Sequence, residues 1–471
     1  MNLGMNLGMN LGIERMSRSW IAAATAVMAL GCGASDSNTS AGQEGDDDGV
    51  VSASASAEDG TGNTAPTGSA DGASNDAGQE SDGGIDTAGV DDDGDDADPP
   101  PPITFDLGSI PDAPDNFVCG QNGDDGELEF SYIWIANSSQ NTVSKINTQS
   151  LIEEGRYYTR PDNLGSPSRT SVSLSGNVAV ANRQGGLTKF YANPENCIDG
   201  NGNGSVNTSS GAADIVPWDN EECRAWHTPF SYTSERPVAW TQGEWNQARC
   251  TFENEKVWTT GVLAGVIEVV LVDGDTGIVE SSVMVPEVAP GGFGFYGGAV
   301  DTEGNFWASQ LGGGQLIRVR INDLSDYSLW QTPAGGYGMT VGASGYVYTC
   351  SGQVGRFDPL TETWMSANVG GSGGCMEDAN GILWMASNSL VGVDINTLTV
   401  TYNHPLPSYA HGVSVDFDGF VWGVSMGTDA YKVDPLTGTM DTVSGLVGPY
   451  TYSDMTGYAL NSVGGGGAPS G

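Results

Sequence analysis

One frame recurs along this chain and limits what it can become. "HGVSVDFDGFVWGVS" (411–425) can be laid beside "YGGAVDTEGNFWASQ" (296–310), "YGMTVGASGYVYTCS" (337–351), "GGCMEDANGILWMAS" (373–387) and "SRTSVSLSGNVAVAN" (168–182). Each reads as a short apolar strand, a tight turn ending in glycine, and an alternating strand centred on Trp or Tyr. "YIWIANSS" (132–139) and "KVWTTG" (256–261) supply two more centre strands. The anchors are Trp134, Ala179, Trp258, Trp307, Tyr348, Trp384 and Trp422, spaced 45, 79, 49, 41, 36 and 38 residues apart. Each unit continues with a third strand ("VSKIN", "LTKFY", "VGRFD", "AYKVD"), a polar turn such as "DPLTG", and a fourth strand. Period-two alternation bounded by Gly, Asp and Pro turns is hairpin chemistry. Units of about forty residues with four strands apiece are propeller blades. The sequence therefore predicts an all-β, seven-bladed β-propeller over 103–471, with one unit enlarged by an insertion at about 193–255.

The ends of the repeat predict how the ring closes. "YTYSDMTGYAL" (450–460) looks like an inner strand with no Trp strand after it, whereas Trp134 arrives without an inner strand before it. The C-terminal segment is expected to serve blade one, which removes two open sheet edges.

Upstream of 103 the composition changes. "MSRSWIAAATAVMALGCG" places Arg18 before an apolar run too short to span a bilayer but suited to a signal-peptide core, with Met16 as the functional start. A small residue before Cys32 resembles a bacterial lipobox, so residues 1–31 are read as a signal peptide and Cys32 as a lipidated N-terminus. Residues 33–102 hold eighteen Asp and Glu, no Lys or Arg and no aromatic residue. Such a stretch cannot bury enough apolar surface to offset chain entropy, which makes 32–102 an acidic, disordered tether. Its reach is roughly 45–50 Å. The expected address is the cell envelope, on an outer membrane or cell surface. The formal charge of −43 repels phosphate backbones, which argues against nucleic acid as a partner.

Seven cysteines less Cys32 leave six, an even number that suits disulfides in an exported protein and allows fifteen connectivities. Cys197 and Cys223 bracket a Gly/Asn-rich loop and are expected to pair. Cys350 follows an anchor by two residues and Cys375 follows an inner-strand position by two, which suggests a bridge between blades. Cys119 and Cys250 pair by elimination. Within the first loop, "DGNGNGS" offers Asp199, Asn201 and Asn203 in calcium-loop spacing, although Ser210 stands where a bidentate Glu belongs. A plain disulfide-closed surface turn accounts for the same residues, so calcium stays an open alternative here.

The residue eleven before each anchor should open on the central channel: Ser168, Tyr296, Tyr337, Gly373 and His411, with Ser453 aligned in the closing segment. Arg169, Arg236 and Asp454 are their neighbours. A ring of Tyr, Arg, Ser and His offers hydrogen-bond donors and flat faces to a ligand. No GxSxG, P-loop or strand-borne GxGxxG is present, which argues against hydrolase and nucleotide functions.

The tandem "HGxxxxxDGxxW" frame resembles the virginiamycin B lyase (streptogramin lyase) superfamily of seven-bladed propellers over about 130–463. That resemblance implies opening of a lactone-type ester by a metal-dependent carbon–oxygen lyase. It implies a histidine base at His411, a second histidine one blade earlier, and carboxylates two residues before and fourteen after the base. This chain has Gly373, Tyr409 and Ser425 at those places. An imidazole without an orienting carboxylate or metal ligands is a poor base. The reading favoured by the sequence is a lipid-anchored binding propeller for a small molecule, glycan or protein, with a lyase-like enzyme as the alternative.

Overall fold

The computed structural model describes residues 131–246, 251–333, 336–452 and 454–464. The expected lipid site Cys32, the acidic stretch 32–102, Cys119, Cys250 and Ser453 lie outside the described residues.

Each repeat of the frame folds as an antiparallel sheet, and the sheets form a seven-bladed propeller. Blade seven is representative. Its strands run Ala410–Val415, Val421–Ser425, Asp429–Val433 and Met440–Ser444 from the channel outwards, joined by short turns. Burial falls along the same direction. The inner two strands are wholly buried, while the outermost is largely exposed. The seven anchor residues lie on the second strands and are no more than 1% exposed. The aromatic anchors pack between blades; Trp258, for example, stacks on Phe306 of the next blade at 5.5 Å.

The D-x-x-G-x-x-W spelling of three frames has a local cause. In blades four, six and seven the leading aspartate (Asp301, Asp378, Asp416) places one oxygen on the indole N–H of Trp307, Trp384 or Trp422, at 2.8–2.9 Å. Its other oxygen accepts two amides of the turn, such as Asp418 and Phe420 in blade seven. The glycine at the turn has positive φ in all three (Gly304, Gly381, Gly419), a conformation that costs a residue with a Cβ. One carboxylate therefore fixes both the hairpin and the anchor ring.

Blade one has three strands of its own, Tyr132–Asn137, Thr142–Asn147 and Glu153–Tyr158. Residues 449–452 and 454–456 lie along its inner edge. Tyr450 N–H donates to Ala136 C=O at 3.1 Å and Trp134 N–H to Met455 C=O at 2.9 Å, with a further bridge between Asn137 and Pro449. The chain ends in the helix Tyr458–Val463, whose Tyr458, Leu460 and Val463 pack into three of the interblade cores. It lies at the end of the channel lined by late inner-strand residues, Ser171, Trp240, Val300 and Val341. One end of the hub is thereby plugged.

The stretch 193–255 is not one insertion. A loop closed by the Cys197–Cys223 disulfide leads into the ordinary outer strand of blade two, Arg224–Thr228. The inner strand of blade three, Glu235–Trp240, follows, and only then comes a small hairpin, Glu244–Asn246 with Thr251–Glu253. These two blade strands lack the turn-and-anchor spelling, and Pro237 interrupts the second, which hides them in the sequence. The second disulfide, Cys350–Cys375, joins blade five to blade six.

Candidate functional site: the open end of the hub

A backbone irregularity repeats at the channel mouth. In blades two, four and seven the inner strand carries one extra residue against its neighbour, and the extra residue is Ser168, Tyr296 or His411. Blade three has a comparable register shift opposite Thr259–Gly261, next to Arg236. In blade five both Tyr337 and Gly338 face Cys350, and in blade six Ser372 and Gly373 both donate to Ala386 C=O. A bulge bends the strand and redirects a side chain, here toward the axis. In blades two, four, five, six and seven the position eleven before the anchor therefore falls at the irregularity.

The side chains gathered there are aromatic and cationic. Arg169, fully buried, has its guanidinium over the rings of Tyr452 and Tyr296, and 5.8 Å from the centroid of Tyr450. Arg236, 5% exposed, lies 4.8 Å from the same Tyr296 ring and 4.4 Å from Phe293, and its Nη1 donates to Tyr296 Oη at 3.4 Å. Arg183, half-buried at the rim, covers Tyr450 at 4.2 Å. Tyr296 and Tyr450 share a 2.6 Å hydroxyl contact. His411 sits against Tyr337 and Tyr450, with Nδ1 2.9 Å from Tyr409 Oη, which in turn meets Ser372 Oγ at 3.1 Å.

Charge at this mouth is one-sided. Among the described residues none of Arg169, Arg183 and Arg236 forms an ion pair with a carboxylate. Arg169 Nε and Nη2, Arg236 Nε, Arg183 Nε, His411 Nε2 and Ser168 Oγ are buried with no protein partner. Burial draws the Arg169 pKa down to about 10, and the neighbouring Arg236 pushes the same way; the group stays charged at neutral pH. Burial, then the positive fields of Arg169 and Arg183, lowers His411 to about 3, so its imidazole is neutral. Tyr450 is raised to about 12, chiefly by burial. The unpaired N–H groups of the site can meet negative charge or hydrogen-bond acceptors, and Tyr337 is the half-buried ring among Tyr296, Tyr337, Tyr450 and Tyr452.

The lyase constellation does not fit these residues. Gly373 brings no side chain, and its backbone lies against His411 C=O. Tyr409 gives His411 a phenol where a carboxylate is implied, and Ser425 Oγ is occupied by the amides of Gly427 and Asp429. The positive fields of Arg169 and Arg183 at the imidazole oppose a divalent cation.

The remaining candidates lie elsewhere. Asp454 is turned to the plugged end: its oxygens accept the Gly457 and Leu460 amides, and burial lifts its pKa to about 6. Asp199 folds onto the amides of Gly202, Asn203 and Gly204, while Asn201 and Asn203 accept loop amides in the same manner. Among the described residues no three His, Cys, Asp or Glu side chains converge as a metal site. Three hub members escaped the sequence reading. Tyr450 and Tyr452 occupy alternate positions on the closing segment, and that alternation was the available signal. Arg183 stands four residues after Ala179, where the other frames carry Leu311, Gly352, Asn388 and Met426.

No family model matches the sequence, and no curated protein matches it. Similar solved structures include a streptogramin B lyase (14% identity, TM-score 0.46, 63% of this chain and 88% of that one). Virginiamycin B lyase from Staphylococcus aureus is similar at 13% identity and TM-score 0.41, over 61% of this chain and 89% of that one. AztD from Citrobacter koseri is similar at 11% identity and TM-score 0.43, over 68% and 97%. The lyases to which the frame bears a resemblance are thus also found among similar solved structures.

Proposed function

We propose that this chain is a lipid-anchored, extracytoplasmic binding propeller whose open hub face receives a small molecule, glycan or protein group. The observation that carries the reading is the convergence of Arg169, Arg236, Tyr296, Tyr337 and His411 at one mouth, each from a different blade, with buried donors left unpaired. Unpaired buried polar groups are costly, and a bound partner relieves that cost. Two disulfides support an oxidising compartment. No helix among the described residues is long and apolar enough to cross a membrane. A lipidated Cys32 would provide attachment.

The test is retention of ligands. Purified protein is equilibrated with a small-metabolite pool, desalted and analysed by native mass spectrometry beside Tyr337→Ala. A compound held by the wild type and lost from Tyr337→Ala supports the reading. Equal retention by both, or none by either, counts against it.

A further inference from the structure

The geometry points to the hub as a receptor for an oxyanion, a carboxylate, sulfate or phosphate group, gripped by Arg169, Arg183 and Arg236. This rests on the hub being a binding site and adds the chemical class of what binds. The chain carries 59 Asp and Glu against 16 Lys and Arg, so carboxylates to neutralise buried guanidiniums are plentiful. The fold nevertheless assembles three arginines at one point and supplies none of them with an acid among the described residues.

The three charges are close. Arg169 and Arg236 share the Tyr296 ring, each 4.8 Å from its centroid, while Arg169 and Arg183 share Tyr450. Like charges gathered in a low-dielectric site repel one another, and ring faces offset only part of that cost. Cation–π contacts also leave the in-plane N–H groups free, and these are the atoms without partners: Arg169 Nε and Nη2, Arg236 Nε, Arg183 Nε. A guanidinium edge is the geometry that meets a planar or tetrahedral oxyanion. Arg183 at the rim gives first contact, and the buried pair sets the depth. His411, neutral, adds neither a charge nor a metal-binding partner acid.

The experiment compares sodium acetate, sulfate and phosphate with sodium chloride at matched ionic strength, because screening alone stabilises a protein of charge −43. Thermal midpoint and calorimetric titration are read on wild type, Arg183→Gln, Arg236→Gln and, as control, Arg320→Gln, which pairs with Asp326 on the outer surface. Near-ultraviolet circular dichroism checks the fold of each variant. At least one oxyanion should raise the midpoint saturably beyond chloride. Its affinity should fall about tenfold or more in Arg183→Gln and Arg236→Gln and stay unchanged in Arg320→Gln. Acetate against sulfate and phosphate identifies which group is held. Equal effects of all four salts, or an oxyanion effect surviving both hub variants, overturns the assignment. An uncharged compound retained through Tyr337, with no oxyanion effect, also overturns it while leaving the binding reading standing.

Discussion

Asp416 Oδ2 accepts the indole N–H of Trp422 at 2.8 Å, and both residues are fully buried. The Asp416 side chain also orders the Asp418 and Phe420 amides and lies 3.4 Å from Lys432 Nζ. Asp416→Ala strands an indole N–H and leaves the Lys432 ammonium without its carboxylate, with Thr148 C=O as its remaining acceptor, and should cost about 3 kcal/mol or more. Asp416→Asn keeps a neutral acceptor and should cost clearly less. Urea unfolding of both variants checks the order; equal losses would mean that the turn, not the indole bond, matters.

That pair also explains why the fold was legible. The turn, the glycine and the anchor are one hydrogen-bonded unit, so they recur together in the letters. Tyr296, Tyr337 and His411 were legible as channel positions because the bulge keeps step with that unit. Tyr450 and Tyr452 were not, because no anchor follows the closing segment and the frame slid to Ser453. Arg183 lies at the end of an anchor strand, outside the frame. Burial could not be read either: nothing in the sequence told that Asp454 turns to the helix rather than to the channel.

The Cys350–Cys375 bridge ties blades five and six, which also meet through packing and through hydrogen bonds from Arg356 to Ile395 C=O and from Ser344 to Glu377. Replacing both with serine should lower stability by about 3.5 kcal/mol, the chain-entropy value for a sequence separation of 25. The fold should persist, because blades five and six keep their own four-stranded sheets. Denaturant midpoints with and without reductant check this; an unchanged midpoint in the double variant would show the bridge to be dispensable.

Stability should fall on the alkaline side, between about pH 6.5 and 8. Burial raises Glu235 from 4.5 to about 8 and Glu255 from 4.5 to about 7. A carboxylate raised in the fold stabilises only while protonated, so each contribution is lost as pH rises from the unfolded to the folded value. Burial lowers His411 from 6.5 to about 3 and His227 from 6.5 to about 4. Their contribution is present above 6.5 and is lost as pH falls toward the folded values. The thermal midpoint should therefore climb from about pH 8.5 to about 6.5, below which the histidine losses oppose the carboxylate gains and the climb slows. Glu235→Gln should flatten the alkaline limb by about 1.4 kcal/mol per pH unit while it titrates; an unaltered limb would remove Glu235 as its source.

Membrane association should depend on Cys32, from the A-L-G-C run that ends the apolar segment. Cys32→Ser should release the protein to the soluble fraction. Fractionation that still finds the variant on membranes would rule out lipidation at this residue as the anchor.

His411 separates binding from turnover. A general base must hold a proton-accepting nitrogen near its working pH and be steered by a partner. His411 has its basicity depressed to about 3, a phenol on Nδ1, and guanidinium fields that disfavour the imidazolium a base must become. Offered a cyclic depsipeptide lactone with magnesium, the wild type should leave the ring closed, and His411→Ala should behave alike. The same variant should weaken retention of a hub ligand several-fold, since the ring supports Tyr337 and Tyr450. Metal-dependent ring opening by the wild type that vanishes in His411→Ala would make the imidazole a base and the propeller an enzyme.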